Sequence, residues 1–336
     1  MPHEIKTTVI GSYPIPQWLA HAGPDPHAHR DALHVVLRTQ EMCGIDVVSD
    51  GELARFDPLH PETNGMIEYF ISGFSGISTR LTRAEREAYQ QRQDMGFRKK
   101  PAGVVREQVT EGSLDLGADW ETVRELATGA IKFTVTSPFM LAKTLHDRFY
   151  NDFSRLTMDI AEVLSKQVSQ IEADVIQVDE ANLPGDPGGA TLAAEAINHV
   201  LRDVKGSKGV HLCFGNYGGQ SIQKGFWKDL LPFFNDLECD HLLLEFARRG
   251  YEELDTFREL KPEISLGVGL IDIKDNEVEK PELVASRIEE VVKILGRDRI
   301  RWVHPDCGFW MLPRSVADAK MRTLVEGRDR FESAGT

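Results

Sequence analysis

Lys208-Gly209-Val210-His211-Leu212-Cys213 has the length and apolar character of a buried strand, and its two reactive side chains stand two positions apart. Side chains alternate between faces in an extended chain, so His211 and Cys213 leave the same face. Residues 209–213 are the fifth of eight such runs; the others span 7–10, 45–49, 131–136, 174–178, 241–245, 264–270 and 300–303. Near-continuous Val, Ile and Leu is what parallel strands buried on both faces require. Helical periodicity fills intervals between them at 30–43, 153–172, 192–204, 219–234, 280–295 and 316–328, which is a βα alternation. Eight units of this kind predict an α/β chain folded as a (βα)8 TIM barrel. A doubly wound open sheet is the alternative. However, no Gly-x-Gly-x-x-Gly opens a helix, and polar residues follow nearly every strand instead of clustering at one crossover.

Those polar residues are Ser12, Asp50 and Glu52, Thr136 and Ser137, Asp179 and Glu180, His211 and Cys213, Glu245, Asp272 and Lys274, and Cys307. Each alone caps a helix or pairs with an arginine about as often as it functions. In a barrel, all of these ends converge on one face, where active sites are built.

The chain's 336 residues, 41% hydrophobic, suit a single barrel spanning residues 1–336. Its net charge of −14 disfavours nucleic acid and anionic membrane as partners. The opening Met1-Pro2-His3-Glu4-Ile5-Lys6 has no apolar signal run, and no stretch reaches membrane-span length, so a cytoplasmic protein is expected. Four scattered cysteines are too few for a disulfide framework and point to a reducing compartment. Cys43 and Cys239 read as core thiols. Residues 53–129 are longer than one crossover and predict an insertion after the second strand, lying over the barrel mouth. It holds a charged helical piece at 82–94, then Phe97-Arg98-Lys99-Lys100-Pro101, and a loosely alternating run at 103–116 that predicts a small hairpin. Such insertions serve as lids or as partner surfaces, including those between copies in a homo-oligomer.

An H-x-C pair in an apolar strand is more often core than ligand. Cys307, in His304-Pro305-Asp306-Cys307-Gly308, supplies a second thiol, and two thiols with one imidazole form a soft set that selects zinc over calcium or magnesium. Glu245 ends the neighbouring strand and is the candidate for a fourth, exchangeable ligand. A zinc-bound thiol loses its proton and becomes a nucleophile for alkyl transfer; hydrolysis by zinc-bound water is the competing use.

Read together, Val9-Ile10-Gly11-Ser12-Tyr13-Pro14, Ser49-Asp50-Gly51-Glu52, Met66-Ile67-Glu68-Tyr69-Phe70, Ile176-Gln177-Val178-Asp179-Glu180, His211-Leu212-Cys213, Gly267-Val268-Gly269-Leu270-Ile271-Asp272-Ile273 and His304-Pro305-Asp306-Cys307-Gly308 resemble the catalytic domain of cobalamin-independent methionine synthase. The resemblance spans nearly the whole chain. It implies Zn2+ held by His211, Cys213, Glu245 and Cys307, with homocysteine as the small thiol substrate. It also implies that Glu52 and Asp179 hold the amino acid's ammonium while Gly11 and Ser12 hold its carboxylate. An ammonium in a dry pocket needs carboxylates, and a carboxylate needs N–H and hydroxyl donors.

The chain departs from that family in two places. A Trp that helps stack the pterin of methyl-folate is replaced within Phe139-Met140-Leu141-Ala142-Lys143-Thr144-Leu145. The His that follows the Asp-Ile pair is replaced by Lys274, so the catalytic pair reads Asp272 and Lys274. A solvated lysine is a poor source of the proton a folate nitrogen needs on leaving. The expectation is therefore a methyl donor that is either methyl-folate or a corrinoid, with the corrinoid favoured. Transfer to coenzyme M, as in the related epoxyalkane:coenzyme M transferases, is an alternative reading. So is a non-catalytic zinc- and thiol-binding partner of a corrinoid protein.

Overall fold

The computed structural model describes residues 4–91, 98–215 and 223–334. Eight parallel strands form the barrel: β1 (Lys6–Thr7), β2 (Val47–Ser49), β3 (Ala130–Thr136), β4 (Val175–Glu180), β5 (Ser207–Leu212), β6 (His241–Leu244), β7 (Ser265–Ile271) and β8 (Ile300–Pro305). From β2 to β8 each strand pairs with the next, and β8 returns to β1. A parallel bridge between Thr8 and Val47, with Thr8 Oγ1 donating to Val47 O at 2.8 Å, joins β1 to β2. The (βα)8 expectation thus holds, and every expected strand matches an observed one to within a few residues.

Helices Pro26–Met42, Phe153–Val168, Ala190–Leu201, Pro281–Leu295 and Arg314–Ala334 cover the outside. They bury residues such as Leu33, Leu164, Ile197, Ile288 and Leu324, each stabilising the fold by roughly 1.5–3 kcal/mol. Asp25 and Asp152 start two of these helices by accepting the backbone N–H groups of His27 and Arg155. Of the helix expected over 219–234, residues 219–222 lie outside the described residues. The remainder is a 3-10 turn, Trp227–Leu230, followed by the short helix Leu231–Asp236. Among the described residues no helix is long and apolar enough to cross a membrane.

Within 53–129 the chain forms helix Glu68–Gly73, strand Phe74–Ser78, helix Arg83–Gln90, strand Gly103–Glu111 and helix Leu116–Leu126. The last part of the helix expected over 82–94, and Phe97, lie outside the described residues. The expected hairpin does not form. Gly103–Glu111 is one strand between two distant partners, antiparallel to Phe74–Ser78 and parallel to Leu145–Asp147. Its alternation reflects a small separate sheet, whose pairings local spacing does not encode. The start of the segment reaches the barrel rim, where Thr136 Oγ1 donates to Met66 O at 2.7 Å.

The barrel interior changes character from bottom to top. Val47, Val175 and Trp302 pack together as an apolar floor. Following the two-residue period of each strand upward leads to Lys132, Gln177 and His304, and then to Thr134, Asp179 and His211. All six are buried. A polar column therefore rises toward the C-terminal mouth.

Candidate active site

His211 stands near the end of β5, Cys213 just beyond it, and Cys307 two residues past β8. Their ligand atoms lie within 4.8 Å of one another, and the two sulfurs are 3.8 Å apart. Leu243 O can only accept, so its 2.9 Å contact with His211 Nδ1 assigns the ring proton to Nδ1. That leaves the Nε2 lone pair buried and, among the described residues, without a hydrogen-bond partner. Leaving such a group unmatched costs about 1–3 kcal/mol. Burial holds His211 neutral, with its pKa pushed down to about 3. The hydrogen-bonded pairing with Cys307, in which Cys213 keeps its proton, and burial push the Cys213 thiol well up. A neutral imidazole presenting a free lone pair beside two thiols, with its other nitrogen fixed on a backbone carbonyl, is the donor set and outer support of a soft cation.

Glu245, one residue past β6, lies outside that 4.8 Å group. Its Oε2 faces Lys274 Nζ at 3.3 Å with both side chains 1% exposed, and its Oε1 has no hydrogen-bond partner among the described residues. Lys274 is thus buried, not solvated as its sequence context suggests. Burial opposes its charge, but Glu245 and the two cysteines raise its pKa above the ordinary value. Asp272 acts as a turn cap: its Oδ1 accepts from Lys274 N at 2.8 Å and its Oδ2 from Arg248 Nη1 at 3.0 Å. Asp306 staples the site. It accepts the backbone N–H groups of Phe246, Ala247 and Arg248, each at 2.9 Å, tying the loop after Glu245 to the loop that carries Cys307.

The acidic pair forms the other half of the mouth. Glu52 adopts φ 58°, a left-handed conformation uncommon outside glycine, and follows Gly51 at φ 67°. Its N–H donates to Asp50 Oδ1 at 2.9 Å. This turn brings Glu52 Oε1 to Thr134 Oγ1 at 2.7 Å and to Arg55 Nη1 at 3.2 Å. Asp179 Oδ1 accepts from Gln177 Nε2 at 2.7 Å. Burial first, and then the nearby Glu52, push Asp179 up to about 8 against the pull of Arg55. A Cβ at Gly11 would strike Glu52 Oε1, and one at Gly308 would strike Ser12 Oγ. Phe309 N donates to Ser12 O at 2.8 Å. The Gly11-Ser12 turn therefore lies between the acidic pair and the Cys307 loop, joining the two halves of the site.

Sequence reasoning missed Arg55, Lys132, Gln177 and Asp306. For two of them a signal existed: Lys132 shares a face with Thr134 and Thr136, and Gln177 with Asp179. That face turns into the barrel. Residues 139–145 expose no aromatic face. The Phe139 ring is 1% exposed, meets Phe153 edge-on at 5.5 Å, and leaves no room for a Cβ at Gly189.

Fold and site together define a (βα)8 barrel with a soft-metal ligand group and a buried acidic pair at its C-terminal face. The family described as "Cobalamin-independent synthase, Catalytic domain" matches residues 5–329. The methionine synthase of Thermococcus kodakarensis is 31% identical over 96% of this chain and 92% of its own length. That of Pyrococcus furiosus is 30% identical over 96% and 91%. Among solved structures, a B12-independent methionine synthase from Shewanella sp. W3-18-1 in complex with selenomethionine shares the fold. It has a TM-score of 0.79 and 22% identity, covering 99% of this chain and 100% of that one. A methyltransferase from Methanosarcina mazei is a more distant likeness in fold, with a TM-score of 0.59 and 14% identity over 98% and 94% of the two chains. The chain belongs to the cobalamin-independent methionine synthase family, by its catalytic domain, and is a methyltransferase.

Proposed function

We propose that this protein transfers a methyl group to the thiol of homocysteine, with Zn2+ held by His211, Cys213 and Cys307 and with Glu245 as the exchangeable fourth ligand. The observation that carries this reading is the buried, unpartnered Nε2 of His211 converging with two sulfurs. Zinc bound there would hold the incoming thiol as a thiolate, nucleophilic at neutral pH. Glu245 suits an exchangeable position because one oxygen is engaged by Lys274 and the other is free to turn. In this reading Glu52 and Asp179 take the ammonium, and the Gly11-Ser12 turn takes the carboxylate. Asp272 holds the turn of Lys274, and Lys274 holds Glu245, so both act by positioning.

Homocysteine should therefore bind far more tightly than coenzyme M, whose sulfonate would face two carboxylates and which brings no ammonium to pair with them. Titration calorimetry of the zinc-loaded protein with each thiol tests this, and equal or tighter coenzyme M binding would overturn the choice of acceptor.

The donor follows from residues 139–145 and Lys274. The family's description, cobalamin-independent, points away from a corrinoid and leaves methyl-folate as the other donor. However, an aromatic grip on a pterin is worth roughly 0.5–1.5 kcal/mol beyond area, and Phe139 is packed away from the mouth. Lys274 is held in an ion pair, whereas transfer from a corrinoid cobalt leaves no amine needing a proton. Methylcobalamin is expected to give faster methionine formation per zinc than methyl-tetrahydrofolate at equal concentration, and the reverse order would count against a corrinoid donor.

A further inference from the structure

Lys132 lies inside the barrel, 1% exposed, and makes no ion pair with a described residue. Its Nζ donates to Gln177 Oε1 at 2.8 Å. This contact, together with the two acceptors on the far side of the amide, fixes which way the amide points. The amide nitrogen is thereby turned the other way. It donates to Asp179 Oδ1 at 2.7 Å and to Ile10 O at 2.9 Å, using both of its hydrogens. Ile10 O belongs to the peptide that opens the Gly11-Ser12 turn. One buried ammonium, acting through one amide, thus holds both the carboxylate assigned to the substrate's ammonium and the turn assigned to its carboxylate.

We infer that Lys132 and Gln177 form a positioning relay that makes the acceptor site select the α-amino acid form of its thiol substrate. This rests on the homocysteine reading above and deepens it. A relay kept only to fill space would be better made of apolar side chains, since a buried ammonium without a carboxylate partner is costly where Met or Leu would fit. Burial pushes Lys132 down to about 7, so the protein tolerates a weakly held charge at a position that anchors two pocket walls.

The test uses the full-length, zinc-loaded chain and two acceptors: homocysteine, and 4-mercaptobutanoate, which is homocysteine without its amino group. In Lys132→Met the KM for homocysteine is expected to rise about 10–100-fold, the range typical of lost outer supports. The kcat should change only a few-fold, with zinc content and the KM for the methyl donor unchanged. Preference for homocysteine over 4-mercaptobutanoate should fall toward unity, a change that general loosening of the barrel would not produce. Gln177→Glu keeps the shape and the Lys132 partner but sets an oxygen against Asp179 and Ile10 O. It should show the same loss of preference and serves if Lys132→Met does not fold. Wild-type preference retained in either folded variant overturns the relay alone. Absence of any preference in the wild type overturns the acceptor reading and the relay together.

Discussion

Cys307→Ser is expected to leave the purified protein with a small fraction of the zinc, about one per chain, that a site of this donor set holds. Methionine formation should fall about a thousandfold, equivalent to roughly 4 kcal/mol at about 1.36 kcal/mol per tenfold. Serine replaces a soft, ionisable ligand atom with a hard hydroxyl that stays protonated near neutral pH. The remaining donors are His211 Nε2 and Cys213 Sγ, which come from one strand end, and the exchangeable Glu245, and one fixed strand end with one exchangeable oxygen holds a cation far less tightly. The lost sulfur sits 3.8 Å from that of Cys213, and no other described cysteine or histidine joins the group to take its place. Elemental analysis with circular dichroism, to confirm that the barrel is intact, decides the matter. Full zinc in folded Cys307→Ser would remove Cys307 from the site.

Asp179→Asn should do two opposite things. Homocysteine binding is expected to weaken about 100-fold, because charge-assisted hydrogen bonds are among the strong ones and one carboxylate facing the ammonium is gone. Stability should rise, and the sign follows from proton binding. Asp179 is pushed from 3.8 up to about 8 in the folded protein, so folding costs nothing through this group below about pH 4. The cost grows between those values, where the unfolded chain ionises and the folded one resists, and is complete above about pH 8. The groups facing Asp179 are Glu52, which adds to the cost, and Arg55, Gln177 and Lys132, which reduce it. Asparagine keeps the acceptor for Gln177 Nε2 and carries no charge. A gain of a few kcal/mol, roughly 5 °C or more in Tm, is therefore expected at pH 8.5, shrinking toward pH 5. A lower Tm than wild type at pH 8.5 would show that the carboxylate is stabilised where it stands.

How much of this was legible beforehand depended on whether the signal is local. Strands buried on both faces are mostly apolar, with only their barrel-facing positions polar, which is why all eight could be read as apolar runs along the sequence. The two-residue spacing of His211 and Cys213 fixes a common face whatever the tertiary structure. The family resemblance added Glu52, Asp179 and Gly11-Ser12 as a set, and the structure joins them through contacts 40 to 300 residues apart. What could not be read was which partner a charge would find. Glu245 and Lys274 meet only because β6 and β7 pair in one register. Asp306 looked like a spacer beside Cys307 until three N–H groups from another loop were seen to converge on it. Lys132 reads as a surface charge unless its face is followed along β3 into the barrel.

The seam between β1 and β8 also bears on how the protein is made. Thr7 pairs with Val303, Ser12 O accepts from Phe309 N, and Ile5 O accepts from Arg328 Nη1 at 3.0 Å. These partners are about 300 residues apart or more, so at about 5–20 residues per second the first strand waits roughly 15–60 s on the ribosome for its neighbour. For that time its support comes from the β2 side, through the bridge between Thr8 and Val47 and the hydrogen bonds of Thr7 to Asp46. Cys307 is translated late in the same interval. The Cys307 half of the mouth cannot assemble on a nascent chain that stops before β8, and until then the β8-facing edge of β1 has no strand to pair with.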